Sequence, residues 1–198
     1  IILDQDSSFS NEYFQKLNSA IIKHPSINLF LPLIKSEQTI VSPGDYKIFK
    51  GSYWKKEKYG IINAKNILAI NSGMVINSHY LKNIYKGYDE RLRFYGTDTS
   101  FMLDYQENNE YLFVIDYVFK HKSALLDKDE NFNMQLFRLK NVFSSWRIIH
   151  EHKKVNLFLI NIFIFLKTFK LVVEYRNIRY FELFKIYSFL KDKDNEKV

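Results

Sequence analysis

The sequence predicts an α/β fold that gives way to a long helical C-terminal tail. Three observations point there. Through the first 125 residues, short apolar runs of strand character alternate with runs of helical spacing. All three prolines lie at or before Pro43 and all six glycines between Gly44 and Gly96, so the last 102 residues contain neither. Turns draw heavily on those residues, and a long stretch without them implies long helices. Charge divides in the same way. Residues 1–119 hold 13 basic and 13 acidic side chains, whereas residues 120–198 hold 16 and 9 and carry the whole net charge of +7. The expected organisation is therefore a mixed α/β part over residues 1–125 and a basic, amphipathic helical tail over residues 126–198.

Residues 1–4 end a strand. Asn11 to Lys23 has helical spacing, with Phe14, Leu17 and Ile21 on one face. Ile27 to Leu33 is a candidate strand. Pro32, Pro43, Gly44 and Gly51 mark residues 34–59 as irregular. Ile67 to Asn77 predicts two short strands around a turn at Asn71-Ser72-Gly73. Ser78 is a good N-cap for a helix to about Lys86, with Gly87 as its stop. Thr97 or Asp98 caps the next helix, to about Glu107, and Tyr111 to His121 is the clearest strand. Further on, Phe132, Leu136, Leu139, Phe143 and Trp146 keep a helical stripe. Val155 to Leu166 is apolar but too short to span a bilayer. Phe169 to Leu190 mixes aromatic and aliphatic residues with Lys and Arg, which suits an interfacial helix or one packed on its own domain or another subunit.

The chain has no cysteine, which excludes disulfides, thiolate metal sites and a cysteine nucleophile. Its chemistry rests on four features. Asp4 and Asp6 follow an apolar strand, and alternation along a strand aims both carboxylates to one side. Hard cations such as Mg²⁺ or Mn²⁺ take oxygen ligands of this kind, although Asp also simply ends strands. Ser72-Gly73 between apolar runs lets a ligand approach the backbone, or forms an ordinary hairpin. Asp98 at a helix start can be a general base or only a cap. His121, at a strand end, can complete a metal site with Asp6, bind a phosphate, or be polar surface.

Together, Leu3-Asp4-Gln5-Asp6-Ser7, Asn71-Ser72-Gly73, Gly87-Tyr88-Asp89-Glu90, Gly96-Thr97-Asp98 and Tyr175-Arg176-Asn177 resemble the family 2 glycosyltransferases of the GT-A fold, particularly bacterial rhamnosyltransferase-like members. The resemblance implies the C-terminal portion of a GT-A-type, Rossmann-like mixed sheet. It implies a nucleotide-sugar donor and metal at Asp4 and Asp6, with Ser72 and Gly73 beside the donor. Asp98 becomes the catalytic base and His121 a further metal ligand. The implied acceptor is a saccharide or lipid-linked saccharide in surface polysaccharide synthesis. The implied place is the cytoplasmic face of the cell membrane, held peripherally by the basic tail. Two departures stand out. Ser100 and Asp104 occupy positions where many members carry an acidic and a basic residue, and the nucleotide-binding βαβ half that precedes the Asp-x-Asp in the family is missing. The piece alone is expected to be inactive or nearly so.

Two other classes compete. A metal-dependent phosphotransferase or nuclease on Asp4, Asp6 and Asp98 needs a basic clamp, for which Arg91 and Arg93 are candidates. A basic nucleic-acid-binding module is disfavoured, because no basic-aromatic RNA motif is present and the positive charge is spread along an apolar tail.

Overall fold

A computed structural model describes residues 1–3, 9–120 and 131–186. The chain forms two compact units, one of Ile1–Glu90 with Thr97–Asp127 and one of Arg91–Gly96 with Lys128–Val198.

The first unit is α/β with a mixed sheet. Its frame is the parallel pair β1 (Leu29–Ser36) and β8 (Tyr111–Lys120). β1 is buried along nearly its whole length. That is what a strand covered on both faces requires, and its Leu, Ile and Phe supply the apolar surface. Pro32 cannot donate to a ladder, and the β1–β8 register slips where it stands, between Leu31 and Leu33. β2 (Thr39–Ser42) and β7 (Val75–Ile76) both pair antiparallel with β1, and β5 (Gly60–Asn63) pairs antiparallel with β8. A second, smaller sheet takes β3 (Gly44–Lys47), β4 (Lys50–Tyr53) and β6 (Ile67–Leu68) in the order β4-β3-β6.

Helices cover both faces of the main sheet. α1 (Asn11–Lys23) packs Tyr13, Leu17 and Ala20 against Phe30 and Ile115. On the other side α2 (Ser78–Asn83) and α3 (Thr97–Asn108) bring Tyr80, Phe101, Met102 and Tyr105 onto Leu29, Leu31, Leu112 and Val114.

Several expectations need correction. Phe14 and Ile21 are exposed, so the buried face of α1 is turned by one residue from the one expected. β1 begins later and runs further than expected, to Ser36. The stretch expected to be irregular holds β2, β3 and β4, with Gly44 opening β3 and Gly51 lying within β4. The cap of α2 is Asn77, whose side chain accepts from the His79 N–H, rather than Ser78. The two short strands around Asn71-Ser72-Gly73 do not pair with each other, since β6 joins the small sheet and β7 the large one.

The second unit is helical. α4 (Phe132–Ile149) is capped by Asn131, which accepts from the Met134 N–H at 3.0 Å. α5 runs from Lys154 to Tyr175 and ends at Arg176 in the left-handed conformation. A 3-10 helix, Ile178–Lys185, follows. Phe163 of α5 packs against Phe143 and Trp146 of α4. Glu182 of the 3-10 helix pairs with Lys140 of α4 at 3.1 Å. α5 is longer than the apolar run read from Val155 to Leu166, because Lys167 and Lys170 do not interrupt it. At 22 residues it is long and apolar enough to cross a membrane by length and composition.

His150, just past α4, is buried beside the Asn156 amide. Burial, with Lys153 nearby, pushes its imidazole down to about 4. The unfolded chain therefore takes up the extra proton between about pH 6.5 and 4, so stability is full above that window and falls as pH drops through it. A loss of about 3 kcal/mol at most is expected across it. Thermal melts between pH 7 and 4 measure this, and His150→Gln should flatten the dependence.

Candidate active site

The turn at Asn71-Ser72-Gly73 joins the two sheets of the first unit, and four segments converge on it. Gly73 holds φ at +73°, a conformation that L side chains resist. A Cβ there would lie 2.6 Å from the Phe9 ring and 2.8 Å from Pro32, so those two side chains fill the space that glycine leaves. The Gly73 carbonyl accepts from the Tyr13 hydroxyl at 2.6 Å. Its N–H donates to the Ile2 carbonyl at 2.9 Å, and the Ile2 N–H donates to the Met74 carbonyl at 2.8 Å. The N-terminal segment is thereby stitched to the turn just before Asp4 and Asp6. Ser72 is buried within the turn. One residue earlier in the chain, the Ile70 N–H donates to Ser42 Oγ at 3.1 Å.

Asp98 lies within the first turn of α3, which begins at Thr97, so it is a helical residue rather than a cap. The partial positive charge of a helix start favours an anion there. Its Oδ1 accepts from the Thr99 N–H at 2.7 Å. Tyr88 stands within electrostatic reach: burial raises its hydroxyl pKa, and the negative charge of Asp98 raises it further.

Asp98 borders a cavity of about 340 Å³ together with Gly44, Ser52 and Tyr53 of the β3–β4 hairpin and Leu68 and Ile70. That size falls at the lower end for a small-molecule site. Tyr53 keeps 45% of its surface exposed at the rim. Trp54, next to it in the chain, is a core residue. It is buried, its indole N–H donates to Asp45 at 2.8 Å, and the Lys58 ammonium lies 4.6 Å from its ring centre. The hairpin's contribution was not legible as a site, because its residues carry no chemical motif.

Asp4, Asp6 and His121 lie outside the described residues. Among the described residues, no group of three or more His, Asp or Glu side chains stands close enough to hold a metal ion. Asp104 accepts from the buried Tyr80 hydroxyl at 3.0 Å, a structural bond within the aromatic core. In the second unit Arg91 is engaged by Glu151 through two bonds of 2.7 and 2.8 Å, the fork geometry of a committed ion pair. No protein-family model, curated protein or solved structure matches the chain.

Gly73→Ala should destabilise the fold by about 2 kcal/mol, through strain at positive φ and the clash with Phe9 and Pro32. Urea denaturation measures the loss.

Proposed function

We propose that the chain is the catalytic and acceptor-binding part of an inverting glycosyltransferase, family 2 and rhamnosyltransferase-like, built on a GT-A-type sheet. One observation carries this reading. The segment Ile70–Met74 lines the Asp98 cavity at one end and, at the other, is hydrogen-bonded to the Ile2 backbone that leads into Asp4 and Asp6. The segment that borders the candidate base is therefore also the one that anchors the backbone at Ile2, two residues ahead of Asp4 in the chain.

The roles follow from that arrangement. Asp98 takes the proton of an acceptor hydroxyl as that oxygen attacks the anomeric carbon of a nucleotide-sugar. The bond to the diphosphate breaks on the opposite face, its electron pair leaves with the nucleoside diphosphate, and the configuration inverts. Tyr53, at the cavity rim, offers an aromatic face to a saccharide or lipid-linked saccharide acceptor. Asp4 and Asp6, with His121 as a further ligand, form the oxygen-rich set that a hard cation takes. Held by those residues, Mg²⁺ or Mn²⁺ would supply positive charge to offset that of the diphosphate leaving group. The product fits the assembly of a bacterial surface polysaccharide.

In the full-length protein, Asp98→Asn should lower the rate of sugar transfer by about 10³-fold and leave donor affinity unchanged. Transfer kinetics and donor calorimetry measure the two effects, and undiminished turnover removes Asp98 from the mechanism. Asp6→Ala should weaken metal-dependent donor binding by about tenfold or more, whereas equal affinity with and without the substitution would refute its role.

A further inference from the structure

The second unit carries an apolar surface that its own described residues leave uncovered. α5 is apolar around most of its circumference. Ile160, Ile164, Thr168 and Leu171 face inward and are buried. Val155, Phe158, Ile162, Phe165, Phe169 and Val173 face outward, Phe158 being 63% and Val173 76% exposed. Only 22% of the helix's most apolar stretch is buried. At 3.6 residues per turn, these outward side chains together with the exposed Leu159 and Leu166 fall within an arc of about 120°, with Lys154 and Lys170 at its two edges. The patch continues onto the 3-10 helix, where Phe181 lies 5.3 Å from Phe169 and Phe184 lies 5.8 Å from Phe165, centre to centre. A helix apolar on its open side has the wrong solvent in water.

We propose that this face lies flat on an anionic phospholipid bilayer, with its Phe and Val side chains just below the headgroups and its lysines at phosphate level. Charge selects the occupant. Residues 131–186 carry ten basic and three acidic side chains. Arg176, exposed at the end of α5, adds a further cation to the unit's surface. A second copy of the chain would bring like charge to this face, whereas an anionic leaflet brings the opposite charge.

Packing selects the orientation. A helix of this length reaches about 33 Å, enough for a hydrocarbon core of about 30 Å. Crossing would, however, carry its inner-face neighbours into lipid. Those neighbours include the Lys140–Glu182 pair and Arg147, which donates to the Ile186 carbonyl at 2.8 Å. Such charges are expensive in hydrocarbon. Lying flat keeps them on the aqueous side. The inference does not depend on the transfer chemistry proposed above.

Sedimentation of the full-length protein with vesicles of phosphatidylglycerol and phosphatidylcholine, against phosphatidylcholine alone, tests it. Binding to the anionic vesicles, weakened by salt, is expected. Phe158→Ser, Phe165→Ser and Phe169→Ser together should lower partitioning at least about tenfold. Lys154→Glu with Lys170→Glu, which leaves the apolar face intact, should lower it by about as much. A wild-type protein that stays in solution with anionic vesicles overturns the proposal. So does a stable dimer, seen by light scattering, that the Phe substitutions disperse while no vesicle binding occurs, because the face is then a subunit interface. Resistance to alkaline carbonate extraction overturns the flat placement in favour of a spanning helix.

Discussion

A tight turn cannot join two parallel strands, so the chain must leave the sheet and come back over it. β1 and β8 are such a pair, and residues 37–110 are the excursion between them. That excursion contains β2 to β7, α2 and α3, and it supplies every described residue that lines the cavity at Asp98. It is held against the pair at both edges, by β2 and β7 on β1 and by β5 on β8. With helices burying both faces of the pair, the platform beneath the excursion is rigid. A carboxylate mounted on such a platform keeps its position, which chemistry at a defined atom demands.

The Gly73 turn extends that constraint to the N-terminal segment. Ile2 is bound to it by backbone, Tyr13 of α1 by a hydroxyl, and Phe9 and Pro32 by contact with the space where a side chain would stand. The smallness of Gly73 is spent on that convergence. A glycine between two strands looks from sequence like an opening for a ligand; here protein side chains occupy the opening. Residues 1–3, expected to end a strand, form none, and the turn holds them by the backbone bonds at Ile2.

The second unit poses the opposite problem. Its interior is well made, with edge-to-face Phe and Trp rings between α4 and α5 and an ion pair to the 3-10 helix. Its open face is as apolar as its interior. Folding alone does not account for that face, because burying the inner side of α5 satisfies only part of its apolar circumference. An anionic lipid surface would satisfy both the stripe and the lysines beside it.

Local signals in the sequence determined the elements whose physics is local. α1 has the bounds that its spacing predicts, and β8 stands where a run of Tyr, Phe, Val and Ile predicts a strand. Asp98 lies at the start of a helix because the glycine before it breaks the chain and the residues after it favour helix. The mixed α/β class and the helical C-terminal region were legible for the same reason. What depends on distant partners was not. The β3–β4 hairpin turns through Ile48 at φ +60°, a β-branched residue that no turn rule selects, so it was hidden until β6 and Trp54 packed on it. The sheet decided which side of α1 is buried, since Phe30 and Ile115 meet Tyr13 rather than Phe14. Tertiary packing alone also put Tyr53 at the cavity and Trp54 in the core, and it left one flank of α5 open. Periodicity specifies that a stripe exists, but only the surface opposite it decides whether that stripe is covered.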